Sequence, residues 1–366
     1  LAAGSRNILI LSPGFDPSMN EMAHLFSEAC RAGDLRCLAF SLRDDRMKGT
    51  TRPQGEEERE GMTILYRSTL RSREIIEEAG RRKFHPRIVW SGTDLFLTSA
   101  GRVAMRLRSR VLLHTEYLGN PDAGIRRRHW LGIPPLRRTG ARIHAKRLSI
   151  SAYLTVVSDP LFKPIQGIPP ERVTALAWPS YDPPGPPEPF ERRSGSTFIG
   201  ALSMTKGLPR LLEGYDRLLD ATPDFNVRLV GAPAGRKENQ ILAEFRERHG
   251  ARVEYFPPMS RDEAVALLRK SLFVYCPVGR LHWGLINDAW SNGVPVLSGA
   301  LHYDLKNGEN CILATGPEAL VRAAAMVRDG AYPGNLLEGG MRTWREKHSL
   351  GAVLPQLLRV LSQGGA

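Results

Sequence analysis

A small set of side chains in this chain has the types and spacing to do chemistry. Lys206 follows the apolar run 197–199 through a polar loop and stands directly before Gly207 and the apolar helical face that begins at Leu208. A lysine at a helix start lies beside backbone N–H groups that have no intrahelical acceptor, and the two together suit a diphosphate. Downstream, Arg280 and His282 can donate to an anion. Asp288, further along, can accept hydrogen bonds from two hydroxyls. In the first half, His114 ends an apolar run and Glu116 follows two residues later, where it could orient a hydroxyl, and Gly14 follows the first strand. Each also has an ordinary alternative: a solvated lysine, a surface arginine, a loop histidine, a solvated glutamate, a histidine that is only a structural hydrogen bonder.

Short β-branched runs alternating with amphipathic stretches must position these groups, the pattern of doubly wound α/β domains with mainly parallel sheets. Strands are predicted at 7–11, 36–42, 62–66, 87–90, 110–114, 153–157 and 173–177. The pattern then restarts at 197–199, 226–230, 252–256, 272–276 and 295–297. Leu208, Leu211, Leu212, Tyr215, Leu218 and Leu219 repeat at helical spacing, and Ser260 with Glu263 reads as a capping box. Between the two series, residues 178–190 carry six prolines and read as an interdomain linker. Residues 44–61, mixing charges with Gly and Pro, read as an exposed loop.

The 366 residues suffice for two domains. Lys and Arg exceed Asp and Glu by 51 − 38 = +13, and the excess is local: residues 101–150 carry twelve basic side chains against Glu116 and Asp122. Trp130, Leu131 and Ile133 interleave with Arg126, Arg127, Arg128, Arg137 and Arg138, as in elements that rest on anionic lipid. An anionic or lipid-linked partner, or an anionic membrane surface, is expected for 101–150, with a solvated basic helix and a soluble acidic partner as alternatives; nucleic acid is not expected, because no binding motif accompanies the charge. Cys30, Cys37, Cys276 and Cys311 lack metal-ligand spacing, no Asp-x-Asp pair is present, and no stretch approaches a membrane span. The expected home is a reducing cytoplasm, with any membrane contact peripheral at its inner face.

Phe198-Ile-Gly-Ala-Leu-Ser-Met-Thr-Lys206-Gly207, Val227-Arg-Leu-Val-Gly231, Phe256-Pro-Pro-Met-Ser260, Phe273-Val-Tyr-Cys-Pro277 and Trp283-Gly-Leu-Ile-Asn-Asp-Ala-Trp-Ser-Asn-Gly-Val-Pro-Val296 occur in that order. This set resembles the donor-binding domain of retaining GT-B glycosyltransferases of the family-4 group. Gly167-Ile-Pro-Pro-Glu-Arg-Val173 and Trp178-Pro-Ser-Tyr-Asp182 resemble the end of that family's first domain. The resemblance implies two Rossmann-like domains facing across a cleft: an acceptor domain over 1–180, a linker at 181–190, a donor domain over 191–345, and a helix at 346–366 returning toward the first domain. It implies transfer of a sugar from a nucleoside-diphosphate sugar to an acceptor, with retention, no metal and no cofactor beyond that cosubstrate. Lys206 then matches the diphosphate lysine, Asp288 the ribose-binding acid, Gly284, Leu285 and Ile286 the phosphate-facing helix start, His114 the histidine near the donor sugar, and Gly14 the first-loop glycine.

Two positions depart from that pattern. Ala201 stands where the family has an arginine before Lys-Gly, and Arg280 stands where the first acid of Glu-x₇-Glu would fall. Arg280 and His282 are therefore expected to approach the donor phosphate in compensation. The departures also leave room for a noncatalytic nucleotide-sugar or polyanion-binding protein on the same fold. A nicotinamide-dependent oxidoreductase fits the sheet pattern but lacks Gly-x-Gly-x-x-Gly after residues 7–11.

Overall fold

The computed structural model describes residues 6–12, 14–18, 20–42, 44–45, 50–51, 53–59, 61–92, 97–115, 154–157, 173–278, 282–301 and 304–363. Two compact units result: Leu1–Asp44, Arg52–Ala177 and Val353–Ala366 form the first, Asp45–Thr51 and Trp178–Ala352 the second.

The first unit holds β1 (Arg6–Ser12), α1 (Glu21–Arg31), β2 (Leu35–Leu42), β5 (Gly55–Arg59), β6 (Met62–Arg67), α2 (Ser72–Arg81), β7 (Ile88–Ser91), α3 (Leu97–Leu107), β8 (Arg110–Thr115), β9 (Leu154–Val157) and β10 (Val173–Ala175). The two-residue strands β3 (Asp44–Asp45) and β4 (Thr50–Thr51) pair as a separate ribbon. The main sheet runs β10-β9-β8-β7-β1-β2-β6-β5. All its neighbours are parallel except β5, which pairs antiparallel with β6 from Gly55↔Tyr66 to Arg59↔Met62. The chain thus leaves β1 toward β2 and β6, then returns to build β7 to β10 on the other side, so strand order reverses between β1 and β7. Leu9, Leu11, Leu38, Val89, Val103, Val111 and Leu113 form one of its buried layers.

The β5 strand corrects the reading of residues 44–61 as a loop. Its burial alternates, with Glu56 and Glu58 exposed, because it is an edge strand with one wet face. Gly61 turns the chain into β6 at φ +75°, a backbone state that favours glycine.

The second unit runs β11 (Ser196–Ile199), α4 (Leu208–Ala221), β12 (Val227–Val230), α5 (Arg236–His249), β13 (Val253–Phe256), α6 (Arg261–Arg269), β14 (Val274–Cys276), α7 (Trp283–Ser291), β15 (Val296–Ser298), β16 (Ile312–Leu313), α8 (Pro317–Arg328), α9 (Leu336–Thr343) and α10 (Leu350–Gln363), whose last residues belong to the first unit. Sheets β11-β12-β13 and β14-β15-β16 are parallel, joined by the parallel bridge Ser196↔Phe273 and the Leu272 N–H to Gly195 O bond of 3.0 Å. Strand order here reverses between β11 and β14. The predicted α4 face is buried at all six positions, because its 3.6-residue stripe packs into the unit's core with Phe198, Leu229 and Phe273. At α6 the Ser260 and Glu263 capping box is formed.

Glycines permit close backbone approach at the carboxyl ends of these strands. A Cβ on Gly231, where φ is +144°, would stand 1.9 Å from the Gly200 carbonyl oxygen, and one on Gly299 would stand 2.5 Å from that of Pro277. Both contacts are with backbone, which cannot move aside without breaking the sheet. Gly231→Ala is therefore expected to destabilise the second unit by about 3 kcal/mol or more. Gly55→Ala, with nothing within 4 Å, is expected to change stability by less than about 0.5 kcal/mol. Chemical denaturation of both variants checks the contrast.

Candidate functional site

Ligands of open parallel α/β sheets bind outside the carboxyl ends of the strands, where strand order reverses. In the second unit that place lies beyond β11 and β14, and the loops leaving those strands carry Lys206 and His282. After β11, residues Met204–Lys206 form a 3₁₀ turn capped by Ser203, whose Oγ accepts the Lys206 N–H at 3.2 Å. Gly207 follows at φ +79°, and a Cβ there would stand 2.7 Å from Val278 Cγ2. The two loops are therefore in near contact, and glycine is what lets them be.

His282 caps the start of α7 and is buried, with its ring edge-on to Phe198 at 5.2 Å between centroids. Burial, and after it the Lys206 charge, push its pKa down to about 3, with a hydrogen bond to the Lys206 backbone opposing them. His282 is thus a neutral hydrogen-bonding group near neutral pH, and it adds no cation for a phosphate. Its Nε2 is fully buried and has no hydrogen-bond partner among the described residues, the state of an atom whose partner is a ligand or water.

The start of α7 corrects one expectation. Because the helix begins at Trp283, the Ile286 N–H is consumed inside it, donating to the His282 carbonyl at 2.9 Å. The first-turn N–H groups left without an intrahelical acceptor include those of Gly284 and Leu285. Every residue of α7 is buried except Gly284. Gly284 lies four residues before Asp288, hence on the same helical face, and helical side chains lean toward the N-terminus. Asp288 is consequently overlaid by the one position of α7 that has no side chain.

Sequence reasoning missed what holds Asp288. Its Oδ1 accepts from Arg261 Nη2 in a charge pair whose side chains are only 12% and 14% exposed, and the Arg261 guanidinium lies 3.9 Å over the ring of Tyr181. A local signal was present: Arg261 is the first residue of α6, where the helix dipole disfavours a cation. Beneath α7, His348 stacks on Trp283 at 5.2 Å, its Nδ1 lies 2.9 Å from the Trp178 carbonyl oxygen, and its Nε2 lies 3.3 Å from Asp304 Oδ2. Burial alone would raise the Asp304 carboxyl; His348 and Lys347 against it outweigh burial and hold it below the ordinary carboxylate value.

In the first unit the reversal lies beyond β1 and β7. The loop after β1 contains Gly14, half-buried, and is fixed by the Phe15 N–H donating to Ser41 Oγ at 2.9 Å. Asp16, buried there and not singled out from sequence, accepts from the Ser18 N–H at 3.0 Å and from Ser18 Oγ at 2.7 Å. His114 is near the end of β8, one strand beyond β7, buried against Trp90 at 5.4 Å. Burial pushes its pKa down to about 4, so it too is neutral near pH 7. Glu116, Arg280 and the basic segment 126–147 lie outside the described residues.

Two parallel α/β units, each with its candidate groups at a strand-order reversal, define the GT-B class of fold. No protein-family model matches the chain, and no curated protein matches it. Solved structures do. The chain is similar to HepE of Anabaena, in complex with UDP-glucose, at 14% identity over 98% of this chain and 99% of that one, with a TM-score of 0.69. Sucrose-phosphate synthase from Thermosynechococcus elongatus matches at 14% identity over 98% of both chains, TM-score 0.70, and a glycosyltransferase from Rickettsia africae at 12% over 98% of both, TM-score 0.68. The chain has the GT-B fold.

Both histidines are held neutral in the folded chain, while an unfolded histidine protonates near pH 6.5. The unfolded state therefore binds more protons below that pH. The stability tied to each is fully present above about pH 6.5 and is lost as pH falls toward about 4 for His114 and about 3 for His282, by up to about 3 kcal/mol for His114 and about 5 kcal/mol for His282. Urea unfolding between pH 7 and 5 should show this slope, reduced in His114→Asn and in His282→Asn. An unchanged slope in both variants contradicts the assignment.

Proposed function

We propose that the protein is a glycosyltransferase of the retaining, family-4 kind that moves a sugar from a nucleoside-diphosphate sugar to an acceptor hydroxyl. The observation that carries this reading is the junction beyond β11 and β14: a lysine, a buried imidazole nitrogen with no partner among the described residues, and an open helix N-terminus meet where α/β sheets hold phosphates. It is further supported by the fold shared with HepE, which carries UDP-glucose.

In this reading Lys206 and the first-turn N–H groups of α7 stabilise negative charge developing on the departing diphosphate, the step for which a positioned cation and dipoles are worth most. His282 donates or accepts one hydrogen bond at the same place, and Asp288 receives ribose hydroxyls through the opening at Gly284. The reaction then runs without a metal or a further cofactor, and the leaving phosphate accepts the acceptor's proton. His114 and Gly14 are assigned to the donor side by the resemblance alone, and Glu116 and Arg280 keep their expected roles beside acceptor and donor. The acceptor is anionic or lipid-linked. That is supported by the basic excess of 101–150, of which α3 and the turn after it expose Arg102, Arg106 and Arg108 around the 77% exposed Met105. Among the described residues no helix is long and apolar enough to cross a membrane, and the proposed association is peripheral, at the inner face of the cytoplasmic membrane.

Titration of the full chain with UDP, GDP and their glucose conjugates tests the donor. Lys206→Ala is expected to weaken binding about tenfold to a hundredfold, the range for a lost charged hydrogen bond, with unchanged thermal unfolding of the unliganded chain. Gly284→Leu should abolish binding without lowering that unfolding temperature, because leucine is the better helix former. His114→Ala should lower turnover and leave donor affinity within about twofold. Nucleotide binding without sugar transfer or donor hydrolysis in wild type would instead favour a noncatalytic binding protein.

A further inference from the structure

The start of α7 is held from behind rather than capped. His282 stands at its N-cap position, yet its side chain makes no capping hydrogen bond to the first turn. A capping side chain would consume N–H groups that a ligand at this end needs, so the direction of the helix start has to come from packing. Trp283, Asn287 and Trp290 follow one another at i, i+4 and i+7 and share one helical face. On that face the Trp283 ring stacks on His348 at 5.2 Å with 24° between the planes, and the Trp290 ring lies 6.1 Å from the same imidazole. Asn287 Nδ2 lies 3.4 Å from the Trp178 carbonyl oxygen. His348 is completely buried and meets that carbonyl too, through Nδ1 at 2.9 Å.

We infer that His348 is a positioning residue for the diphosphate end of the donor site: through Trp283 it aims the first-turn N–H groups of α7, those of Gly284 and Leu285 among them. This rests on the donor reading above and names the residue that sets the direction of its phosphate-facing dipoles. Both ring nitrogens of His348 are engaged by the protein rather than by a substrate. A carbonyl oxygen only accepts, so Nδ1 carries a proton and donates it to Trp178. Nε2 faces Asp304 Oδ2 at 3.3 Å, in a contact too poorly aligned for a hydrogen bond. The ring is therefore placed to support a neighbour and not to exchange protons at the site. Its backbone is fixed as well, the His348 carbonyl accepting the Ser180 N–H at 2.9 Å. Residues Trp344–His348 wind as a single π turn, closed by the Ser349 N–H to the Trp344 carbonyl at 2.8 Å; such turns are rare and recur at functional sites. A phenyl ring could also stack on Trp283. The imidazole adds polar contacts to Trp178 and Asp304, which fix the rotation of the ring as well as its place.

Calorimetric titration of the full chain with UDP and UMP, and with GDP and GMP, isolates the second phosphate, and the affinity ratio within the pair that wild type binds is the readout. Wild type should prefer the diphosphate by about tenfold or more, the range for charge-assisted hydrogen bonds. Trp283→Leu and His348→Ala should each cut that ratio by about fivefold or more and change monophosphate affinity by less than about twofold, because a helix start displaced by about 1 Å loses the alignment of its N–H groups. His348→Phe, which keeps a flat ring against Trp283, should give an intermediate ratio, and with Trp283→Leu it carries the test if His348→Ala does not fold. Val327→Ala, in the same buried core but on α8, should lower the unfolding temperature and leave the ratio intact, which separates positioning from loss of stability. An unchanged ratio in the Trp283 and His348 variants, or an equal loss of mono- and diphosphate, overturns the role of His348 and leaves the donor site standing. Failure of wild type to bind any of the four nucleotides overturns both.

Discussion

The second unit depends on the parallel junction of β11 with β14. Ser196 pairs with Phe273, and the Leu272 N–H bonds to the Gly195 carbonyl. These two strands are far apart in the chain, and their following connections run to opposite sides of the sheet. Joining them at the centre sends out two loops side by side. The loop ending at Lys206 and the loop ending at His282 therefore meet, near enough that Gly207 leaves no room for a side chain against Val278. The buried imidazole and its lowered pKa follow from the same closeness.

What the junction opens, α7 and its supports hold in place. The helix is enclosed on all sides except at Gly284, with Trp290 bonded through Nε1 to the Asn310 carbonyl at 2.8 Å and Trp283 stacked on His348. Trp344 Nε1 donates to Ser180 Oγ, and the Ser180 N–H bonds to the His348 carbonyl at 2.9 Å, so the segment after Trp178 is tied to the same buried cluster. Tyr181 is the next residue along that segment, and its ring reaches Arg261. A rigid polar network under a helix with one opening fixes the orientation of its carboxylate, as a selective site requires.

The first unit repeats the principle with different residues: strand order reverses between β1 and β7, and Gly14, Asp16 and His114 lie at that end of the sheet. The similarity to solved structures at 12–14% identity shows how little side-chain identity the backbone arrangement needs. The sheet of the second unit is set by apolar alternation and glycine contacts, and its form does not depend on which side chain stands at Ala201. The chemistry at each loop is then open to change, and a fold alone does not assign it.

Much of the architecture was legible in the sequence, because buried parallel strands and amphipathic helices are local patterns: the α4 stripe and the Ser260 capping box needed only their own residues. The edge strand β5 was not, since its charged alternation resembles a loop until β6 is beside it. For the site, residue types and order singled out Lys206, His282, Gly284 and Asp288. Tertiary structure alone decided that His282 is neutral, that the Ile286 N–H is consumed within α7, and that Asp288 is held by an arginine 27 positions earlier in the chain. Desolvation, helix register and contacts between distant segments exist only after the chain has closed on itself, and each is set by neighbours that no local window contains.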